Sequence, residues 1–445
     1  MAALLAGSGC AHYDAQPIDP AQTASAYAAR SLSDPALLSF LQENHSAPPA
    51  PGAGWGSAAL TTAALYFQPA LAEAKAHLAA VRSAERTAAQ RPNPTLNFTG
   101  AYDNQIPGNP TPWSVAPVSL DFPIETAGKR RYRMDEARST SEAETWALRG
   151  TIWQLRGRVR AAVLQDIVSG ERQQALQRQA DAQDKVVRLL EGQVRAGNAS
   201  GADLNQARID LATVRLAAQD GAVAREDARS ELAAAIGVPR SALDGIALSD
   251  PSLAALPAPP ELSSLRHTAL FDRSDVRTAL AQYAAAQSAL QIEIARQYPD
   301  LNLGPGYQYN SGSAGDSMWQ LSLSLTLPVL NQNQGPIAEA RRKRAEAAAH
   351  FLTVQSQALN DVESAYARYR VAREQIAVAR QLAAELGRRR NSIREMEQAG
   401  ENDPLATANA EVAFDASELG RLDASLKAAL ACSQLEIAAE QTFSP

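Results

Sequence analysis

The chain has 445 residues, a formal charge of -6, 45% hydrophobic residues and only 5% aromatics. Much of the apolar share is alanine, which favours long, closely packed helices and leaves few bulky side chains for a large globular core. Acidic and basic residues are intermixed rather than gathered in blocks, which argues against a nucleic-acid binder.

At the start, Met1 to Cys10 reads MAALLAGSGC, like the tail of a secretory signal ending in a lipoprotein cysteine, without the basic n-region and most of the apolar h-region. The spacing predicts lipidation of Cys10; the alternative is an unmodified thiol. An N-terminal arm, 1–59, contains Pro48-Pro49-Ala50-Pro51-Gly52. No apolar run reaches the roughly 18 residues of a transmembrane helix, so any span of a membrane must be built from strands.

From residue 60 the chain is written twice. Pro94-Thr95-Leu96-Asn97 recurs as Pro299-Asp300-Leu301-Asn302, and Leu120 to Pro123 recurs as Leu325 to Pro328. Each half reads as a helix, two strands, a very long helix, a sharp turn and another long helix. The first repeat, 60–236, has strands at about 96–104 and 114–122; the second, 266–438, has them at about 301–310 and 318–327. A connector, 237–265, and a tail, 439–445, complete the chain, and arm, connector and tail are expected to pack as a belt around the helices. In Trp319 to Leu327 every second residue is apolar and the rest are small and polar, the pattern of a strand with one greasy and one wet face. The polar links Gln105 to Pro112 and Asn310 to Ser317 join the strands into hairpins.

After each hairpin come roughly 60 residues free of proline, which as helix would run on the order of 90 Å. Leu204, Ala207, Leu211 and Val214, and again Leu405, Ala408, Val412, Leu419, Leu422 and Leu426, follow heptad spacing. Between the long helices, Gly197 and Gly400 read as helix stops. Asp203 reads as a cap for the next helix, and Asp403 as an N-cap followed by Pro404 at N1. The second turn is expected to be the shorter, because the repeat offset shrinks by about two residues there.

Four strands cannot close a membrane barrel in one chain, so copies must pool them; two chains give eight strands and three give twelve, and the larger count leaves an aqueous lumen. Trp113, Phe122, Tyr307, Tyr309 and Trp319 lie on or beside the strands, where membrane barrels carry aromatic girdles; packing at the barrel ends is the rival reading. No G-x-S-x-G, phosphate-binding loop or H-E-x-x-H is present, so no enzyme is expected. The scattered His12, His45, His77, His267 and His350 lack ligand spacing, so neither a metal site nor a cofactor is expected. Cys432, among alanines, is expected to fill a small buried space.

Arg91-Pro92-Asn93-Pro94-Thr95-Leu96, Pro123-Ile124-Glu125-Thr126-Ala127-Gly128-Lys129-Arg130 and Ala235-Ile236-Gly237-Val238-Pro239 resemble the strand entry, strand exit and repeat end of the TolC family of outer-membrane efflux proteins. The resemblance covers nearly the whole chain. It implies a mainly α protein with membrane β: a homotrimer with a twelve-stranded β-barrel among outer-membrane lipids, continued by a periplasmic α-helical barrel. Implied partners are a periplasmic adaptor (membrane fusion) protein and an inner-membrane pump of the resistance-nodulation-division (RND) type. The strand-exit segment is similar to that of members serving heavy-metal pumps; drug efflux, type I protein secretion and, in another class, a soluble periplasmic coiled-coil scaffold are the alternatives. By the same resemblance the turns lie at the periplasmic mouth, where Asp203 and Asp403 would form rings favouring cations. Gly197, Leu204, Gly400 and Leu405 would meet the adaptor there.

Overall fold

A computed structural model describes residues 12–46, 54–102, 113–310 and 316–443. Cys10, the Pro48 to Gly52 stretch, most of both hairpin loops and the side chain of Trp113 lie outside the described residues.

In chain order, two short helices α1 (Pro20–Ala28) and α2 (Pro35–Glu43) precede a two-residue strand β1 (Trp55–Gly56) and helices α3 (Ser57–Phe67) and α4 (Pro69–Ala88). The first hairpin is β2 (Thr95–Tyr102) and β3 (Trp113–Ile124), followed by α5 (Lys129–Arg195) and α6 (Gly201–Ile236). A short strand β4 (Leu248–Ser249) lies in the connector. Then α7 (Leu262–Phe271) and α8 (Ser274–Ala295) lead to the second hairpin, β5 (Leu301–Asn310) and β6 (Asp316–Leu325), and to α9 (Gln334–Gln398) and α10 (Pro404–Ala439).

The residues divide into two units. One comprises 1–68, 158–254 and 378–426, the other 69–157, 255–377 and 427–445; α5, α9 and α10 contribute to both.

The first unit is mainly helical, and its heptad clusters close within the chain while Ile209, Leu216 and Val223 of α6 stay exposed. The heptad positions meet there: Leu204, Ala207, Leu211 and Ala408 are buried against Val186 and Val187, with Leu405 and Val412 packed alongside. A second cluster joins Val168, Ala175 and Leu422 to Leu253, Leu419 and Leu426. Asp166, 3% exposed, pairs at 2.8 Å with Arg229, whose guanidinium also donates to the carbonyls of Leu243 and Ile246. A buried ion pair satisfied in this way is costly to break from either side.

Within the arm, residues 12–46 hold two short helices. Asp19 and Asp34 accept from the N–H groups of Ala21 and Ala36 at 2.9 Å, and Pro20 and Pro35 follow them, so α1 and α2 start on the same cap and proline. Arm and connector meet where β1 pairs in parallel with β4, Trp55 opposite Leu248. Arg30 donates to the carbonyls of Phe67 at 3.0 Å and Gly237 at 2.6 Å, at the C-terminal ends of α3 and α6, and lies over the ring of Tyr27. A cation there satisfies orphan carbonyls and complements both helix dipoles. Gly237 adopts φ +88°, and a Cβ on it would meet the Phe67 carbonyl oxygen at 3.1 Å, so this crossing demands glycine.

The second unit carries the sheet, four antiparallel strands in the order β2-β3-β5-β6. The strand expected to run to 327 ends at Leu325, and the one expected at 114–122 runs on to Ile124. At the strand-to-helix junction Lys129, almost fully buried, reaches the carboxylate of Asp300 and the carbonyl of Tyr298, each at 2.7 Å. In the same unit Tyr369, fully buried, donates to the Pro257 carbonyl at 2.6 Å, pinning the Pro-rich connector to α9. Cys432 is fully buried and in no disulfide. Among the described residues no helix is long and apolar enough to cross a membrane, and no three metal-ligating side chains converge.

Candidate functional site

Two places carry the sequence-predicted residues: the sheet of the second unit and the helix turns of the first.

Register sorts the sheet into two faces, because directly opposed residues share a side. Leu96 opposes Leu120, Phe122 opposes Leu303, Ile124 opposes Leu301, Leu303 opposes Leu323, and Tyr307 opposes Trp319. One face is thus apolar across all four strands, and it is exposed: Leu96 67%, Phe98 68%, Trp319 81%, Leu321 70%. The other face holds Asn97, Ser119, Asp121, Gly304, Gly306, Ser322 and Ser324. Asn97 donates to Asp121 at 2.6 Å and Ser322 to the Gly304 carbonyl at 2.9 Å. A Cβ on Gly304 would run into the side chains of Asp121 and Ser322, so the wet face has room there only for glycine.

Of the expected girdle, Phe122, Tyr307, Tyr309 and Trp319 sit on the apolar face, with the Tyr307 and Trp319 ring centroids 5.1 Å apart. An exposed apolar face on a sheet with open edges is untenable in water and suited to hydrocarbon once the edges are paired.

The turns are two copies of one device. At the first, Gly197 is left-handed with φ +78° and the Asn198 N–H reaches back to the Gln193 carbonyl at 2.8 Å. At the second, Gly400 has φ +76° and the Glu401 N–H reaches the Met396 carbonyl at 2.9 Å. Both are Schellman stops, which need a residue without a Cβ penalty at the left-handed position. Residues 196–200 and 399–403 form turns of equal length, contrary to the expected shorter second turn. The missing residues belong to the helix, since α9 has 65 residues against 67 in α5.

The caps differ. Asp403 is the N-cap as expected, accepting from the Leu405 N–H at 3.1 Å with Pro404 behind it, and its second oxygen takes the Gln193 amide at 2.9 Å, tying one turn to the other. Asp203 is not the N-cap. Ser200 fills that place, accepting from the Asp203 N–H at 3.1 Å, and the Asp203 carboxylate accepts from the Ser200 hydroxyl at 2.9 Å. Ser-x-x-Asp is a capping-box spacing, and reading the serine first would have found it.

Gly197, Asp203, Gly400 and Asp403 are exposed, whereas Leu204 is buried in the coiled-coil cluster and Leu405 packs beside it. The two leucines therefore hold the turns in place and present little side chain of their own. Behind the turns Glu411 takes Arg394 at 2.7 Å and Lys185 at 3.9 Å, and Asp415 faces Arg178 at 3.7 Å. Burial pushes the Asp415 carboxyl above the usual range, partly offset by Arg178. The arm clamp at Arg30 escaped sequence reasoning; the signal available was the repeated Asp-Pro helix start on either side of it.

A duplicated chain of hairpin and paired long helices, with one lipid-compatible sheet face, defines a class of membrane-embedded helical conduits. The profile of the outer membrane efflux protein family matches residues 60–238 and 265–439, and the chain belongs to that family, one of efflux proteins and not of enzymes. The cobalt-zinc-cadmium resistance protein CzcC of Cupriavidus metallidurans is 28% identical over 239 residues, covering 53% of this chain and 55% of CzcC. The match thus spans about half the length of that curated relative. The outer membrane protein VceC of Vibrio cholerae superposes with TM-score 0.70 at 18% identity over 87% of this chain and 97% of its own. The outer membrane channel MtrE of Neisseria gonorrhoeae, in its open state, gives 0.68 at 18% over 86% and 88%. At these identities the two structures share the fold.

Proposed function

We propose that this chain is the outer-membrane exit duct of a three-component efflux assembly. Three copies pool their sheets into a twelve-stranded barrel set in outer-membrane lipid, and the long helices continue it as a periplasmic tunnel. Solutes pass through without chemistry. A periplasmic adaptor docks at the turns around Gly197 and Gly400, and an inner-membrane pump supplies the energy. Asp203 and Asp403, repeated around the mouth, favour cations, and the likeness to a cobalt-zinc-cadmium resistance protein favours divalent metals as the exported class. An acyl chain on Cys10 would tether the arm to the same membrane.

The observation that carries the reading is the sheet itself: apolar and exposed on one side, polar on the other, open at both edges, with strands of 8 to 12 residues that fit a hydrocarbon layer. The test is to isolate the protein from outer membranes and measure its mass and shape in detergent by electron microscopy. A trimer with a detergent belt at the strand end is expected; a soluble monomeric or dimeric rod without a belt would refute the duct. Deletion of the gene should then sensitise cells to divalent metals more than to organic drugs.

A further inference from the structure

The wet face of the sheet carries almost no charge. Asp121 and Asp316 are the only charged residues in the four strands, and both are acidic. Asp316 begins β6 at the loop end, opposite Asn310, whereas Asp121 lies at the helix end, opposite Thr95, the first residue of β2. The surroundings of Asp121, which is half-buried, hold its carboxylate against the wall. The Asn97 amide donates to one oxygen at 2.6 Å, and the other lies over Gly304, where a Cβ would collide with it and with the Ser322 hydroxyl. Gly306 extends the bare strip along β5, since a Cβ there would meet Ser119 and Gln320 at 3.3 Å. Polar side chains of β3 and β6 therefore lie down over β5 instead of standing up from the sheet. Asn97 supplies a hydrogen bond and no charge, and among the described residues no cation pairs with Asp121. Just beyond the strands, by contrast, Glu125 is matched by Arg133 and Asp300 by Lys129.

We propose that Asp121 is a charge-selecting residue of the duct, a fixed negative charge on the lumen wall that concentrates cations and depletes anions at the helix end of the barrel. This rests on the barrel reading above, which turns the polar face inward. Each copy of the chain adds one carboxylate to the wall. Because the carboxylate lies flat over a glycine, it acts through its field and not by narrowing the passage. Low-dielectric walls focus such a field along a water-filled lumen, and its reach follows the salt: the Debye length is about 30 Å at 0.01 M and about 3 Å at 1 M. Selection therefore fills the lumen in dilute salt and is confined to the wall in concentrated salt. A divalent cation feels twice the pull of a monovalent one. A purely structural tie between Asn97 and Asp121 makes no such demand, because asparagine at position 121 still offers Asn97 an acceptor.

Charged thiol reagents read the local potential. In the full chain purified from outer membranes in detergent, Ser119→Cys places a thiol on the same face, two residues and about 7 Å from Asp121. Its rates with a cationic and an anionic methanethiosulfonate of similar size give a ratio, and the parent chain measures any background from Cys10 and Cys432. A unit charge at that distance in water changes the two rates by roughly threefold in opposite directions. Asp121→Asn should therefore lower the cation-to-anion ratio by on the order of tenfold at about 0.01 M salt and leave it nearly unchanged at about 1 M. Asp121→Glu should keep the parent ratio, which separates lost charge from a disturbed fold. If both reagents react and Asp121→Asn moves the ratio by less than about twofold in dilute salt, the charge-selecting role is overturned while the barrel stands. If Ser119→Cys resists both reagents and Leu321→Cys on the apolar face reacts with both, the polar face is not the watered side, and the barrel reading fails as well.

Discussion

Leucine at regular spacing meets opposite fates in the two units. In the helical unit Leu204 and Leu211 are buried by the chain's own helices. In the sheet Leu321 and Leu323 stand exposed at 70% and 61%, on strands whose hydrogen bonding stops at two open edges. The heptad core of the first unit is closed by the chain's own helices, although Ile209, Leu216 and Val223 of α6 stay exposed; the sheet of the second leaves a whole apolar face uncovered. Stability in the one should follow the rules of protein cores, and in the other the rules of a bilayer.

The largest effect should come from within the first unit. Asp166→Ala leaves Arg229 buried without its carboxylate, and a loss of about 3–5 kcal/mol is expected in the unfolding of helical signal by denaturant; a change below about 1 kcal/mol would mean the pair is hydrated. Next comes the direct contrast. Leu211→Ala should cost about 2–5 kcal/mol as a core cavity, while Leu321→Ala should leave the melting curve in detergent nearly unchanged. Leu321→Arg, in contrast, should cost about 2–4 kcal/mol if the face is set in hydrocarbon near its midplane. Tolerance of arginine there in reconstituted vesicles would contradict the assignment of that face.

The turns sharpen the comparison on a smaller scale. Ser200→Ala and Asp403→Ala each remove an N-cap worth about 1 kcal/mol, and Asp403→Ala should be the worse because it also strands the Gln193 amide. Thermal melts of the two variants side by side would decide it, and equal losses would argue that the link between turns adds nothing. Smallest is a pH effect. Burial pushes the Glu440 carboxyl above its ordinary value, offset in part by hydrogen bonds from Ser274 and by Arg149. A carboxyl raised on folding stabilises the fold below its unfolded pKa and loses that contribution as pH climbs through the folded value. The stability of the parent relative to Glu440→Gln should therefore decline from acid toward neutral pH, as measured by urea midpoints; parallel profiles would show that the group does not titrate differently on folding.

The sequence displays what is periodic. The repeat, the alternation in Trp319 to Leu327, the proline-free helices and the heptads at Leu204 and Leu405 all announce their elements, because each repeats a local preference many times. What is set once, by a tertiary encounter, stays hidden. Nothing local says that Arg30 will bridge two helix ends, or that residues 326–329 will forgo the strand their duplicates adopt. Asp203 sits three positions beyond the cap, because Ser200 takes the cap and accepts from the Asp203 N–H. Leu204 shows why the turn surface is harder to read than the turn: heptad spacing that marks it as apolar also takes it into the core. The proposed adaptor surface and charged rings at Asp203 and Asp403 would depend on several chains, and one chain's pattern points to them only through its resemblance to relatives.

The two residues that α9 lacks relative to α5 are lost inside the helix, since both helices begin at duplicated positions and end at duplicated stops. Removing two residues from an α-helix turns everything beyond by about 200° and draws it back about 3 Å. Counted from their first residues, α5 and α9 therefore bring the duplicated residues that precede their stop glycines to nearly opposite sides of their own helix axes.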